Sequence, residues 1–330
     1  MNHHAASPVR TMSRRQALCW SLAGAGAVAL SGCREATNGP PSLRQLPSLI
    51  RSSVLGPDLP GKIAFVKGTE IWQWTNGTSR PLATGQAFAD PAWSPDGTHL
   101  AAIVMGTNQS DLVILNAAGA VVRRLTTDLS TVSVQDSVWA RKPAWSPDGK
   151  RLAFITDRGK HDMSLWLISP AGGPAQPLIV EQPYSGGLDW PTWSPSGMEI
   201  AYTTFIPGVS QIHAYNLETH EARIVARDPG GDLDPAWSPT GTDLAYVGRD
   251  GQSDDVFVGS VDATERVKVT QGGVNRAPAW SPTGSALGYL AGNGDTFDLF
   301  VAQIAGTAAS TTRLTSGINI VAQAGITWTS

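Results

Sequence analysis

The residues of this 330-residue chain that could do chemistry are few and far apart. Beyond the first dozen residues the histidines are His99, His161, His213 and His220, in four different stretches and with no His-Glu-x-x-His spacing that would set two imidazoles on one helix face around zinc. A Gly-x-Ser-x-Gly elbow, which would expose a serine nucleophile above a sheet, is absent. Two acid-rich hexapeptides, Asp250–Asp255 and Asn293–Asp298, offer oxygen ligands of the kind calcium takes, yet neither has the twelve-residue loop closed by glutamate. Their Gly, Asn and Asp content suits hairpin turns. The expectation is a chain with no metal, no cofactor and no catalytic residue.

Self-comparison gives the organisation that must position any site. DPAWSPDG (90–97), KPAWSPDG (142–149), WPTWSPSG (190–197), DPAWSPTG (234–241) and APAWSPTG (277–284) are near copies, and GITWTS (325–330) is a sixth, partial one. Trp93, Trp145, Trp193, Trp237, Trp280 and Trp328 are the register tryptophans, read as core. In each turn Pro presets φ at the second position, Asp, Ser or Thr bonds locally at the third, and Gly takes the left-handed φ. An apolar block follows each turn, as in Leu100–Ile103 and Leu244–Val247, and reads as a strand buried on both faces. With a third and a fourth strand after it, each copy is a four-stranded antiparallel unit. The fold class is all-β, a six-bladed propeller over residues 62–330. Its ring closes by pairing the C-terminal strand Ile326–Trp328 with the three strands between Lys62 and Gly85.

What varies between copies is where a scaffold leaves freedom. The segments before each inner strand are the least alike, and they contain Asp90, Trp139, Arg141, Lys142, Asp189, Trp190, Asp232, Asp234, Asn275 and Arg276. Placed around one mouth of the channel, mixed charge and two tryptophans suit a peptide or a polar ligand. The rival reading is a solvated rim.

The Pro-x-Trp-Ser-Pro-[Asp/Ser/Thr]-Gly core with its following Leu-Ala-Tyr/Phe resembles the TolB-type, WD-like propeller repeat. That resemblance implies the Pro-x-Trp strand is innermost. It is specific for fold and open on function, since such repeats occur in Tol-system proteins, in the propellers that precede prolyl-oligopeptidase-like hydrolase domains, in carbohydrate-active lyases and in many lipoproteins. The 27 residues from Arg34 to Pro60 are too few for the α/β domain that precedes the Tol-system propeller.

Residues 1–32 read as a removed signal peptide. A basic start leads into a 14-residue apolar stretch, Ala17–Leu30, too short to span a hydrocarbon core of about 30 Å. Ser13-Arg14-Arg15-Gln16-Ala17-Leu18 resembles a twin-arginine export signal, and Leu30-Ser31-Gly32-Cys33 resembles a bacterial lipobox, which implies lipidation at Cys33. Residues 33–61, with Pro40, Pro41, Pro47, Pro57 and Pro60, read as a lipidated N-terminus and a spacer. Removing the signal leaves 21 basic against 27 acidic residues, a net charge of −6, which opposes binding to a phosphate backbone and excludes nucleic acid as a partner. With Cys19 in the discarded segment, no intrachain disulfide can form. The sequence thus points to an exported monomer, lipid-anchored to the outer face of the cytoplasmic membrane or the periplasmic side of an outer membrane. Its partner would be an envelope protein or peptide, or a polar saccharide. The alternative is a carbohydrate-active lyase or the accessory propeller of a separately encoded hydrolase.

Overall fold

In the computed structural model the described residues are 59–127, 137–159, 162–181, 186–206, 208–261, 266–292, 296–305 and 308–330. The signal arginines Arg14 and Arg15, the lipidation site Cys33 and the spacer up to residue 58 lie outside them.

The strands follow in chain order as antiparallel meanders. The first is β1 (Lys62–Lys67), β2 (Glu70–Thr75) and β3 (Thr78–Ala83). Next come β4 (Phe88–Trp93), β5 (His99–Met105), β6 (Ser110–Asn116) and β7 (Val121–Arg124), then β8 (Ala140–Trp145), β9 (Leu152–Thr156), β10 (Ser164–Ile168) and β11 (Gln176–Ile179). After them run β12 (Leu188–Trp193), β13 (Glu199–Ile206), β14 (Val209–Asn216) and β15 (Ala222–Ala226). The next meander is β16 (Asp232–Trp237), β17 (Asp243–Asp250), β18 (Ser253–Ser260) and β19 (Arg266–Lys268). Last are β20 (Val274–Trp280), β21 (Ala286–Gly292), β22 (Phe297–Ala305), β23 (Ala308–Arg313) and the lone β24 (Ile326–Thr329). β24 pairs antiparallel with β1, Ile63 opposite Trp328 and Phe65 opposite Ile326, and so completes the first meander's sheet.

The sheets divide differently from the expectation of six separate ones. Four of them have four strands each, and the fifth has eight, because a single parallel bridge, Asp254 to Val274, joins the β16–β19 unit to the β20–β23 unit. Every unit is nonetheless a four-stranded blade of a propeller.

The core lies between blades, not within them. Leu100, Val113 and Leu115 pack with Ala64, Val66 and Ile71 across the first gap. Ile103, Leu112 and Ile114 pack with Leu152 and Phe154 across the next, and Leu290, Leu299 and Val301 meet Ile63, Phe65 and Trp328 where the last complete blade meets the first. This is why the second strand of each copy is apolar on both faces: one face meets the preceding blade and the other the following one.

The Ser-Pro-x-Gly turns form as the residue types require. The Gly97 amide donates to the Ser94 carbonyl at 2.9 Å, with Gly97 at φ 66°, and Gly149, Gly197, Gly241 and Gly284 repeat that left-handed geometry. Asp96 accepts from the Ser94 hydroxyl at 2.5 Å and from both the amide and the hydroxyl of Thr98, which lowers its carboxyl to about 2.

The strand ends that close the first blade are held together so closely that Gly61 (φ 92°) has no room for a side chain: a Cβ there would lie 2.0 Å from the Thr329 carbonyl oxygen. Gly68, at φ 62°, has open space around it. Gly61→Ala should therefore lower the urea midpoint well beyond Gly68→Ala, which carries only the left-handed cost of roughly 1–2 kcal/mol. Equal effects would mean that the β24–β1 closure bears little of the stability.

Candidate functional site

Each inner strand, β4, β8, β12, β16 and β20, slips register just before its proline. Ala89 pairs with Ile103 and Ala92 with Ala101, so that Asp90 and Pro91 together face the single residue Ala102, and the same slip recurs in the other four. The residue before the proline is left-handed in every case: Asp90 (φ 49°), Lys142 (48°), Trp190 (49°), Asp234 (53°) and Ala277 (52°), with Gly325 (72°) before β24. Proline lacks an N–H, so it breaks the ladder there, and the bulge re-aims the preceding side chain. Left-handed conformations at non-glycine residues cost about 1–3 kcal/mol each and persist only where the surroundings hold them.

Several of these residues converge on the channel. Lys142 Nζ donates to Asp90 Oδ1 at 2.7 Å and to the Gln323 carbonyl, and lies 3.7 Å from the centre of the Trp190 ring. Asp90 Oδ2 accepts from the Lys142 backbone N–H at 3.1 Å. Trp190 reaches across to the opposite side of the ring, where a Cβ on Gly325 would lie 2.8 Å from its indole. Asp234 repeats the Asp90 arrangement by accepting from the Ala277 N–H at 3.1 Å. Burial drives its carboxyl upward, opposed by Arg276, that N–H and Lys142.

Asp90, Lys142 and Trp190 form the floor of a cavity of about 450 Å³. Its walls are the small residues between Pro and Trp, such as Ala92, Ala144, Thr192 and Ala236, and its rim is the exposed turn prolines Pro95, Pro147, Pro195 and Pro239. The wall residue also sets how neighbouring blades join. Where it is Ala92, Ala144 or Ala236, its carbonyl accepts the next register indole, Trp145, Trp193 or Trp280, at 2.9–3.1 Å. Where it is Thr192 or Thr327, its hydroxyl accepts the backbone N–H of Trp237 or Trp93 instead, and those two indole N–H groups have no partner.

The ten residues expected on one presented rim are therefore divided. Asp90, Lys142, Asp189, Asp232, Asp234 and Asn275 are buried, and Trp139, Arg141, Trp190 and Arg276 are half-buried. Arg141 approaches Asp189 at 3.4 Å, and that carboxylate, working against burial, raises its guanidinium. Arg276 meets Asp254 at 2.6 Å, and the Trp139 N–H donates to Asp157 at 2.8 Å. The turn-side rim was missed because Ser-Pro-x-Gly reads first as turn chemistry. Its only sequence signal was that five such turns had to gather around one axis.

Of the acids in the two hexapeptides, Asp255 and Asp298 are structural caps. Asp255 accepts from the Thr270 hydroxyl and the Gly272 N–H and pairs with Lys268. Asp298 accepts from the Thr315 hydroxyl and the Gly317 N–H and pairs with Arg313. Asp111 does the same with Thr126 and Arg124. In these three blades this ties the third strand to the Leu-Thr or Val-Thr end of the fourth. Among the described residues no group of three or more His, Cys, Asp and Glu side chains could hold a metal ion.

With this geometry in view, residues 175–327 match a family model described as the TolB beta propeller domain. Over that stretch the sequence carries the TolB-type propeller repeat, and the described residues as a whole share the propeller fold. TolB from Acinetobacter baumannii superposes with a TM-score of 0.63 at 16% identity, over 81% of this chain and 66% of that one. A chain in the crystal structure of a nidogen/laminin complex gives 0.60 at 12%, over 82% and 98%. Both likenesses concern the fold. "Uncharacterized peptidase YuxL" of Bacillus subtilis is 35% identical over 118 residues, 36% of this chain and 17% of that protein.

Removing Lys142 alone would strand a buried carboxylate. Lys142→Met should destabilise the propeller by about 3–5 kcal/mol in urea unfolding, and the double variant Asp90→Leu with Lys142→Met should recover most of the loss. No recovery would show that the pair contributes by packing rather than by charge.

Proposed function

We propose that this protein is a non-catalytic binding module of the bacterial cell envelope, exported, lipid-anchored through Cys33, and built on a TolB-type propeller of six blades in which the eight-stranded sheet counts as two. The observation that carries the reading is the cavity of about 450 Å³ lined by the turn prolines and by the mutually engaged Lys142, Asp90 and Trp190, and in this reading a ligand enters past the turn prolines. Small walls and half-buried indoles at Trp145 and Trp280 suit the end of a peptide or a saccharide unit bearing polar groups. Lys142 and Asp90 are engaged with each other and with the Gln323 carbonyl, which fits recognition rather than turnover.

In this reading Arg14 and Arg15 direct export, residues 1–32 are removed, and residues 33–61 tether the propeller to the membrane. The mature chain works as a monomer with an envelope protein, peptide or polar saccharide as partner, and its net negative charge keeps it from nucleic acid.

Titration of short peptides and oligosaccharides against the intrinsic tryptophan fluorescence should give a saturable response. Ala236→Arg, which puts a long cation on the cavity wall, should weaken it at least tenfold, whereas Arg141→Glu with Arg276→Glu on the other face should change it less than twofold. The reverse pattern would move the site to the loops before the inner strands. Growth with a labelled fatty acid should label the wild type but not Cys33→Ser, which should leave the membrane fraction; label retained by the variant would end the anchor assignment.

A further inference from the structure

The position five residues before each register tryptophan is apolar or an amide in the other inner strands: Phe88, Ala140, Leu188 and Asn275. In β16 it is Asp232, whose residue surface is 0% exposed. Its Oδ2 accepts from the Asp228 N–H at 2.7 Å, and its Oδ1 has no hydrogen-bond partner. The charged and titratable neighbours are already engaged with one another. Asp228 pairs with Arg266, Arg266 also donates to the Tyr246 hydroxyl, and the Arg249 guanidinium pairs with Asp254. His213, on the neighbouring β14, contacts Gln211 at 3.3 Å.

The equivalent amide shows what a donor does here. Asn275 Nδ2 donates to the Asp254 carbonyl across the seam at 2.8 Å and to the Gly272 carbonyl at 3.1 Å, and that seam is the one bridged into a continuous eight-stranded sheet. At the Asp232 seam the sheets stay separate, although Ser210, which stands in β14 where Asp254 stands in β18, packs directly against Gly231. A neutral carboxylic acid has one donor to offer in place of the amide's two; a carboxylate has none.

We infer that Asp232 acts as a pH-sensitive latch on the seam between the β12–β15 and β16–β19 blades, holding it as a neutral acid and loosening it on ionisation. Burial supports this by pushing its carboxyl up to about 7. The sign follows from linkage: a carboxyl raised in the folded state stabilises fully below its unfolded value of about 4, and that stability is lost as pH rises toward about 7. The latch thus tightens in mildly acidic surroundings and slackens above neutrality.

Carbon-13 NMR of aspartate carboxyls should show Asp232 titrating near pH 7, with the Ser210 and Gly231 amide resonances moving at the same midpoint. Asp232→Asn, which keeps shape and donor, should abolish that movement, and its urea midpoint should gain on the wild type as pH goes from 5 to 8. Asp232→Leu, the residue type at Leu188, should also remove the pH dependence and serves if the amide variant folds poorly. An Asp232 midpoint below pH 5, or Ser210 and Gly231 shifts that persist unchanged in either variant, would overturn the latch.

Discussion

The proline that interrupts every inner strand is the constraint from which the rest follows. Proline cannot donate to a ladder, so it is tolerated only where a strand has an unpaired side, and the channel supplies that side for β4, β8, β12, β16 and β20. The accompanying bulge puts the preceding residue into a left-handed conformation and rotates its side chain toward the axis. Asp90 and Asp234 then reach the backbone N–H of the next blade's bulge, so the device that breaks one ladder also links two blades. The strain is held in place by those links and by the tryptophan two residues past each proline.

The same constraint shapes the lining of the cavity. Five bulges, with the left-handed Gly325 before β24, set residues of different size and charge toward the channel: Asp, Lys, Trp, Asp and Ala, and then Gly. A cation beside a carboxylate, with an indole face over it and a glycine opposite to admit the ring, packs there without leaving a charge alone. Beyond it the strands carry alanine and threonine, so the space reopens toward the turns.

Most of the fold was legible because the repeat states it five and a half times. Turn glycines, apolar second strands and the pairing of Ile326–Trp328 with Ile63–Phe65 all follow from spacing and residue type. The site was less legible, for a reason of register. Side chains alternate along a strand, and a single extra residue reverses which ones face inward. Without the bulge, Asp90 and Lys142 read as loop residues at a rim; with it, they are 8% and 5% exposed and form a floor. Arg141 and Arg276, one residue earlier, do stay half-exposed, yet each is matched to a carboxylate, Asp189 and Asp254, which sequence distance conceals.

Departures from the repeat carry more information than the repeat itself. Wherever the wall residue changes from alanine to threonine, at Thr192 and Thr327, the indole of the next blade gives up its carbonyl and the backbone takes the hydroxyl, so one oxygen atom redirects the joint between blades. Asp232 is the same kind of change with a titratable group, set where three other blades place Phe, Ala or Leu and a fourth places an amide. A ring of near-identical joints is mechanically uniform. One joint whose hydrogen-bond donor depends on proton activity makes it uneven, and in a closed toroid any slack at one seam must be taken up by the inner strands that surround the cavity.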